Sequence, residues 1–182
     1  HIHLERGPLT QEWLGRFVAQ AERQGITELG ISEHLYLFKE AAHLLEYTPP
    51  EGVVRGMDEY VRLIETAKRE GLNIKLGLEV DYIPGKEAET AAVIKGLPLD
   101  YIIGSVHWLG DWPFDLDTEG WKGRNVDEVY REYYELLAQA AESGLFDILG
   151  HPGNIAYFGH RARPELMAEL EDVPELELVL EQ

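Results

Sequence analysis

Short runs of β-branched and other apolar residues alternate along this chain with longer stretches whose apolar positions recur every three or four residues. Apolar runs of strand length and stripes of helical period in alternation specify parallel strands joined by crossover helices. The candidate strands cover residues 28–32, 74–80, 101–106, 146–149 and 176–180, with residues 1–3 as the end of another. Between them, Leu14, Phe17, Val18 and Ala21 follow a Thr10 cap and stop at Gly25. Met57, Tyr60, Val61, Ile64 and Ala67 stop before Gly71, and Val126, Val129, Tyr130, Tyr133, Leu137, Ala140 and Ala141 run from Asn125 to Gly144. Thr or Asn at a helix start satisfies an otherwise free N–H group, and glycine past the end accepts a left-handed conformation. These stripes are packing faces. Residues 38–56, with the pair Pro49-Pro50, and residues 110–124, rich in Gly, Asp and Trp, read as long loops. Loops of that length are often functional.

With 182 residues, 45% of them apolar, the chain fits one domain with a substantial core. Its six strand patterns fall short of the eight in a conventional barrel, which takes roughly 250 residues. The sequence opens on His1 with almost no strand before it and ends straight after an apolar strand pattern. The expectation is one domain over residues 1–182, with strands missing at both ends.

Charge and composition narrow the function. Sixteen Lys and Arg stand against 34 Asp and Glu, a formal charge of −18, so polyanions are repelled from most of the surface and nucleic acid is not expected as a partner. A small anionic substrate stays open, because bound divalent cations reverse the local sign of a site. The absence of cysteine removes disulfides, zinc–thiolate sites and thiol nucleophiles, leaving His, Asp and Glu as metal ligands. No apolar run approaches the roughly 18 to 20 residues that cross a bilayer, and no signal-peptide pattern opens the chain. A cytoplasmic protein without a membrane partner is expected. Nothing in the sequence marks an oligomeric state.

Seven histidines occur, and their positions are informative. His1 and His3, one residue apart, point to the same face of a strand. His34, His107 and His151 each follow a strand pattern, and Glu79 sits at the end of another. In β/α barrels the C-terminal strand ends converge on one mouth, so these six residues form a candidate metal site. Imidazole and carboxylate without thiolate suit zinc, iron or manganese, and a bridging carboxylate can hold two ions. His43 lies away from the strand ends and reads as a surface residue. Ser32 and Ser105 lack a base partner and read as strand-end packing.

The strings His1-Ile2-His3, Ser32-Glu33-His34, Gly77-Leu78-Glu79, Gly104-Ser105-Val106-His107 and Gly150-His151-Pro152 resemble the successive metal-binding motifs of the PHP (polymerase and histidinol phosphatase) family. The resemblance spans almost the whole chain. Two longer stretches resemble the histidinol-phosphate phosphatases within that family: 104–109 continuing through Trp112-Pro113-Phe114-Asp115, and 142–147 leading to Gly150-His151 and Phe158-Gly159-His160-Arg161. The resemblance implies a distorted seven-stranded, TIM-like β/α barrel whose mouth holds two to three divalent ions. His1, His3 and Glu79 would hold the first, Glu79, His107 and His151 the second, and His34 would help hold a third. It also implies metal-assisted hydrolysis of L-histidinol phosphate in histidine biosynthesis, with Glu79, His107 and His151 as catalytic residues. Arg161 either clamps the phosphate through its planar fork or lies solvated, with His160 beside it as a second substrate contact. Trp108, Trp112 and Phe114 either wall the organic part of the substrate or pack their loop.

The chain departs from the family pattern twice. No late Asp-x-His pair occurs, and Leu4-Glu5-Arg6-Gly7-Pro8 stands where many members carry another histidine; either Glu5 replaces it or the third ion binds weakly. The rival readings are another PHP-family phosphoesterase, an amidohydrolase-type C–N hydrolase and a non-catalytic metal-binding module. Amidohydrolase-type sites usually include a bridging lysine, whereas the corresponding strand end here carries Glu79.

Overall fold

In the computed structural model, which describes residues 2–47, 49 and 54–171, the Thr10 hydroxyl accepts the Trp13 N–H at 3.2 Å and opens helix α1 (Gln11–Arg23). The stop is Gly25, at φ +74°, where a side chain would be strained. The chain divides into two units, His1–Val80 with Ala88–Ile103, and Asp81–Glu87 with Gly104–Gln182.

The first unit contains α1, strand β1 (Leu29–His34), helix α2 (Met57–Arg69), most of strand β2 (Ile74–Asp81), most of helix α3 (Glu87–Ile94) and the start of strand β3 (Tyr101–Ser105). Its strands run in the order β1-β2-β3. β1 and β2 pair in parallel, from Leu29 opposite Ile74 to His34 opposite Glu79. Ile31, Leu76 and Leu78 from the strands and Leu14, Ile64 and Ala67 from the helices are fully buried. Tyr101 explains two glycines. A Cβ at Gly30 would lie 2.4 Å from its hydroxyl oxygen, and one at Gly77 would lie 2.3 Å from its Cζ. The expected result for Gly77→Ala is therefore a loss of about 1–3 kcal/mol, the usual cost of overpacking a filled core, read as a lowered denaturant midpoint.

The second unit has the end of β3, a hairpin of β4 (Trp108–Leu109) and β5 (Trp112–Pro113), helix α4 (Val126–Glu142), strand β6 (Ile148–Leu149) and helix α5 (Pro164–Glu171). β6 lies next to β3, with the Gly150 N–H donating to the Gly104 carbonyl at 2.8 Å. The Asn125 side chain caps α4 by accepting the Asp127 N–H, and Val129, Tyr130, Tyr133, Leu137 and Ala140 form its buried stripe. They pack with Val106, Phe114, Trp121 and Ile155 into one core. Among the described residues, no helix is long and apolar enough to cross a membrane.

Several expected boundaries move. β1 and β2 run on past Ser32 and Val80 to His34 and Asp81, taking in the charged residues just beyond the apolar patterns. Residues 146–149 shrink to Ile148–Leu149, and the Phe146 ring packs over Gly104, where a Cβ would meet it at 2.2 Å. Ile2 and His3 are outside any strand, yet the Ile2 carbonyl accepts the Ser32 N–H at 2.9 Å and draws this segment alongside β1. The 110–124 loop contains β5, and the hairpin turns at Gly110, whose φ of +59° suits the glycine position of a two-residue turn. The expected strand at 176–180 lies outside the described residues.

Candidate metal centre

Register positions the first group of candidate ligands. Because His34 pairs with Glu79 on the last rung of the β1–β2 ladder, an imidazole and a carboxylate meet at the same strand ends. His3 is brought to them by its neighbours. The Leu4 N–H donates to the buried Glu33 carboxylate, and Trp13 Nε1–H donates to the Leu4 carbonyl at 3.0 Å. Burial pushes Glu33 up to about 7, against the opposing pull of the Leu4 N–H and of His3. His3 Nε2 then lies 3.1 Å from Glu79 Oε2, and His34 Nδ1 lies 3.4 Å from the same oxygen. The two imidazoles stack at 4.3 Å and 9°, and Tyr36 stacks on His34 at 4.8 Å.

Glu79 is 0% exposed. A carboxylate is costly to bury unless it is paired or coordinates a cation. One ligand atom from each of His3, His34 and Glu79 lies within 4.8 Å of the others. Two imidazole nitrogens and a carboxylate oxygen match the donor preferences of zinc, iron or manganese, so these residues fit a divalent ion. His34, expected at a third ion, is grouped here with His3 and Glu79. His1 lies outside the described residues, and Glu5 stands outside this group.

In the second unit, His107 follows the end of β3 and meets Asp81, the last residue of β2, with Nδ1 2.8 Å from Oδ1. The His107 and His151 rings are 5.0 Å apart. His151 has φ +30°, the one non-glycine positive value among the described residues. Such strain persists where surroundings over-determine it and is concentrated at functional sites. Here the Asn154 N–H and the Tyr133 hydroxyl donate to the His151 carbonyl at 2.9 and 3.3 Å, while Ser105 Oγ lies 3.5 Å from its Nε2.

The other candidates divide. His160 stacks on Trp121 at 4.3 Å and 15°, and its carbonyl accepts the Tyr130 hydroxyl at 2.8 Å. Arg161 is exposed, with Nη1 donating to the carbonyls of Ala156 and His160 at 2.7 and 2.9 Å. Phe114 is 0% exposed and packs edge-on to Tyr133, which removes it from any substrate wall. Trp112 lies between Trp121 and the Arg124 guanidinium, and Trp108 is half-buried. Ser32 and Ser105 are buried, and His43 is exposed. The residue missed in the sequence is Asp81. Two positions beyond Glu79, it falls on the same side of β2 by strand alternation, a signal hidden by ending that strand at Val80.

The chain covers about half the length of the curated relatives it matches. A probable histidinol-phosphatase of Deinococcus radiodurans is 40% identical over 109 residues, covering 57% of this chain and 42% of that protein. Another, of Schizosaccharomyces pombe, is 27% identical over 178 residues, with 87% and 56% covered. A histidinol-phosphatase of Lactococcus lactis is 26% identical over 163 residues, with 88% and 54% covered. A crystal structure of histidinol phosphate phosphatase from Lactococcus lactis, complexed with zinc, L-histidinol and phosphate, superposes with TM-score 0.73 at 23% identity, covering 93% of this chain and 64% of that one. That superposition shows a shared α/β fold. Residues 1–176 match the PHP domain, and the chain belongs to the PHP domain family.

Proposed function

We propose that this chain carries the metal centre of a phosphatase that hydrolyses a phosphate monoester, with L-histidinol phosphate as substrate and L-histidinol and phosphate as products. The observation that carries this reading is the buried Glu79 carboxylate facing the imidazoles of His3 and His34. The names of the relatives support the substrate. His1, His3, His34, Glu79, His107 and His151 would hold two to three divalent ions of zinc, iron or manganese. Ions bound there supply Lewis acidity, bringing the pKa of water toward neutrality and stabilising charge on the phosphoryl oxygens.

The chain's own groups do the positioning. Glu79 is walled from solvent, with its backbone in the β1–β2 ladder and Oε2 facing two imidazoles. Arg161, with Nη1 tied to two backbone carbonyls, keeps its remaining N–H groups in a fixed fork for a phosphate, and His160 is held beside it by Trp121. With a formal charge of −18, the protein takes a small phosphorylated molecule in preference to a polyanion.

Phosphate release from histidinol phosphate, measured with added manganese or zinc, is expected to cease on chelation and return when metal is restored. Release that survives the chelator overturns the metal mechanism. Hydrolysis of cyclic amides in preference to phosphate esters would favour a C–N hydrolase instead.

A further inference from the structure

We propose that Asp81 is a positioning residue for His107, fixing its neutral imidazole with the proton on Nδ1 and the lone pair on Nε2, the atom presented to a divalent cation. This rests on the metal reading above and extends it to a residue that is not itself a ligand.

The geometry is specific. His107 Nδ1 and Asp81 Oδ1 are 2.8 Å apart, and the two side chains are 10% and 3% exposed. An ionised carboxylate only accepts hydrogen bonds, whereas a neutral imidazole donates from one nitrogen and accepts at the other. The pairing therefore selects the Nδ1–H tautomer. Both partners are anchored through their backbones. The Tyr82 N–H, next to Asp81, donates to the Ser105 carbonyl at 2.8 Å, and the His107 carbonyl accepts the Phe114 N–H at 3.2 Å. Val106, between Ser105 and His107, is 1% exposed and packed in the core with Tyr82 and Phe114. An outer carboxylate of this kind orients a ligand imidazole and raises its basicity, and its removal typically weakens metal affinity about 10–100-fold.

Two readouts test the assignment, using the protein with Asp81→Asn and Asp81→Ala. The first is long-range 15N–1H correlation spectroscopy of chelator-treated protein, which reports the His107 tautomer without metal or turnover. Wild type is expected to show Nδ1–H, and Asp81→Ala a mixture with Nε2–H. The second is zinc affinity by competition with a chromophoric chelator, expected to fall about 10–100-fold in both variants while their circular dichroism stays native. Asp81→Asn can donate as well as accept, so it loses the lock while keeping the volume. A purely structural role for Asp81 would leave the tautomer unchanged.

The assignment is overturned if the neutral His107 imidazole of the wild type carries its proton on Nε2. It is equally overturned if both variants hold zinc within twofold of wild type. Should Asp81→Ala fail to fold, the wild-type spectrum still decides. Weakened zinc binding in the variants together with absent phosphate release from wild type would sink the phosphatase reading and leave the role of Asp81 standing. Undiminished zinc binding in active variants would do the reverse, and a wild-type protein that binds no zinc would end both.

Discussion

Glu79→Gln is expected to lower phosphate release from histidinol phosphate by about three orders of magnitude. The change keeps the volume of a side chain that is 0% exposed, so the fold should persist while the charge proposed to recruit cations is lost. Lewis-acid stabilisation of a phosphoryl transition state is worth several kcal/mol. At about 1.4 kcal/mol per tenfold in rate, roughly 4 kcal/mol corresponds to a factor of about 1,000. Stability gives a second reading of the same variant. A cation held at 100 times its dissociation constant stabilises the folded protein by about 2.7 kcal/mol, so added zinc should raise the wild-type melting temperature and move that of Glu79→Gln much less. Turnover within tenfold of wild type, or an equal zinc-induced shift, would remove Glu79 from the proposed metal site. His3 and His34 both lie against the same oxygen, Oε2, so losing the charge weakens the whole group.

Much of this arrangement was legible because two rules agree. Strand ends carry ligands, and parallel register aligns those ends, so His34 and Glu79 could be read from their places in two apolar runs before their pairing was seen. Helices α1, α2 and α4 were equally legible, since each joins a stripe to a glycine stop, and α1 and α4 also have a side-chain cap. The misses share a cause. Glu33 and Asp81 lie one residue beyond the ends at which the two apolar runs stop, Ser32 and Val80, yet both are buried. Each has a partner, the Leu4 N–H or the His107 ring, supplied by a residue remote in sequence. Hydropathy cannot foresee such compensation. Helix α3 shows no stripe because Thr90 is its one buried residue, so it left no period to detect. The two-residue strands of the 108–113 hairpin are too short for alternation to register. Phe114 was assignable to a loop but not to a side of it, and its burial against Tyr133 depends on where α4 lies.

The loop that carries Phe114 is also where the largest stability effect should fall. Trp121→Ala is expected to cost about 3–5 kcal/mol, the usual range for deleting a buried aromatic side chain, seen as a lowered denaturant midpoint. Trp121 is 4% exposed, and its Nε1–H donates to the Phe114 carbonyl at 2.8 Å. Trp112 meets it edge-on at 5.2 Å, and His160 stacks on it at 4.3 Å. Deletion would open a cavity and leave the Phe114 carbonyl without its donor, an added cost of about 1–3 kcal/mol if water cannot reach it. Trp121→Phe separates these effects, since it keeps a ring against His160 and removes only the N–H and part of the volume. It should lose about 1–2 kcal/mol, close to the cost of one unsatisfied buried acceptor. If His160 and Arg161 contact the substrate, the same variant should raise KM more than it lowers kcat, because the corner that holds them loosens while the metal ligands stay in place. A Trp121→Ala protein as stable as wild type would mean that this aromatic stack does not hold the loop, and the substrate role of His160 would lose its structural support.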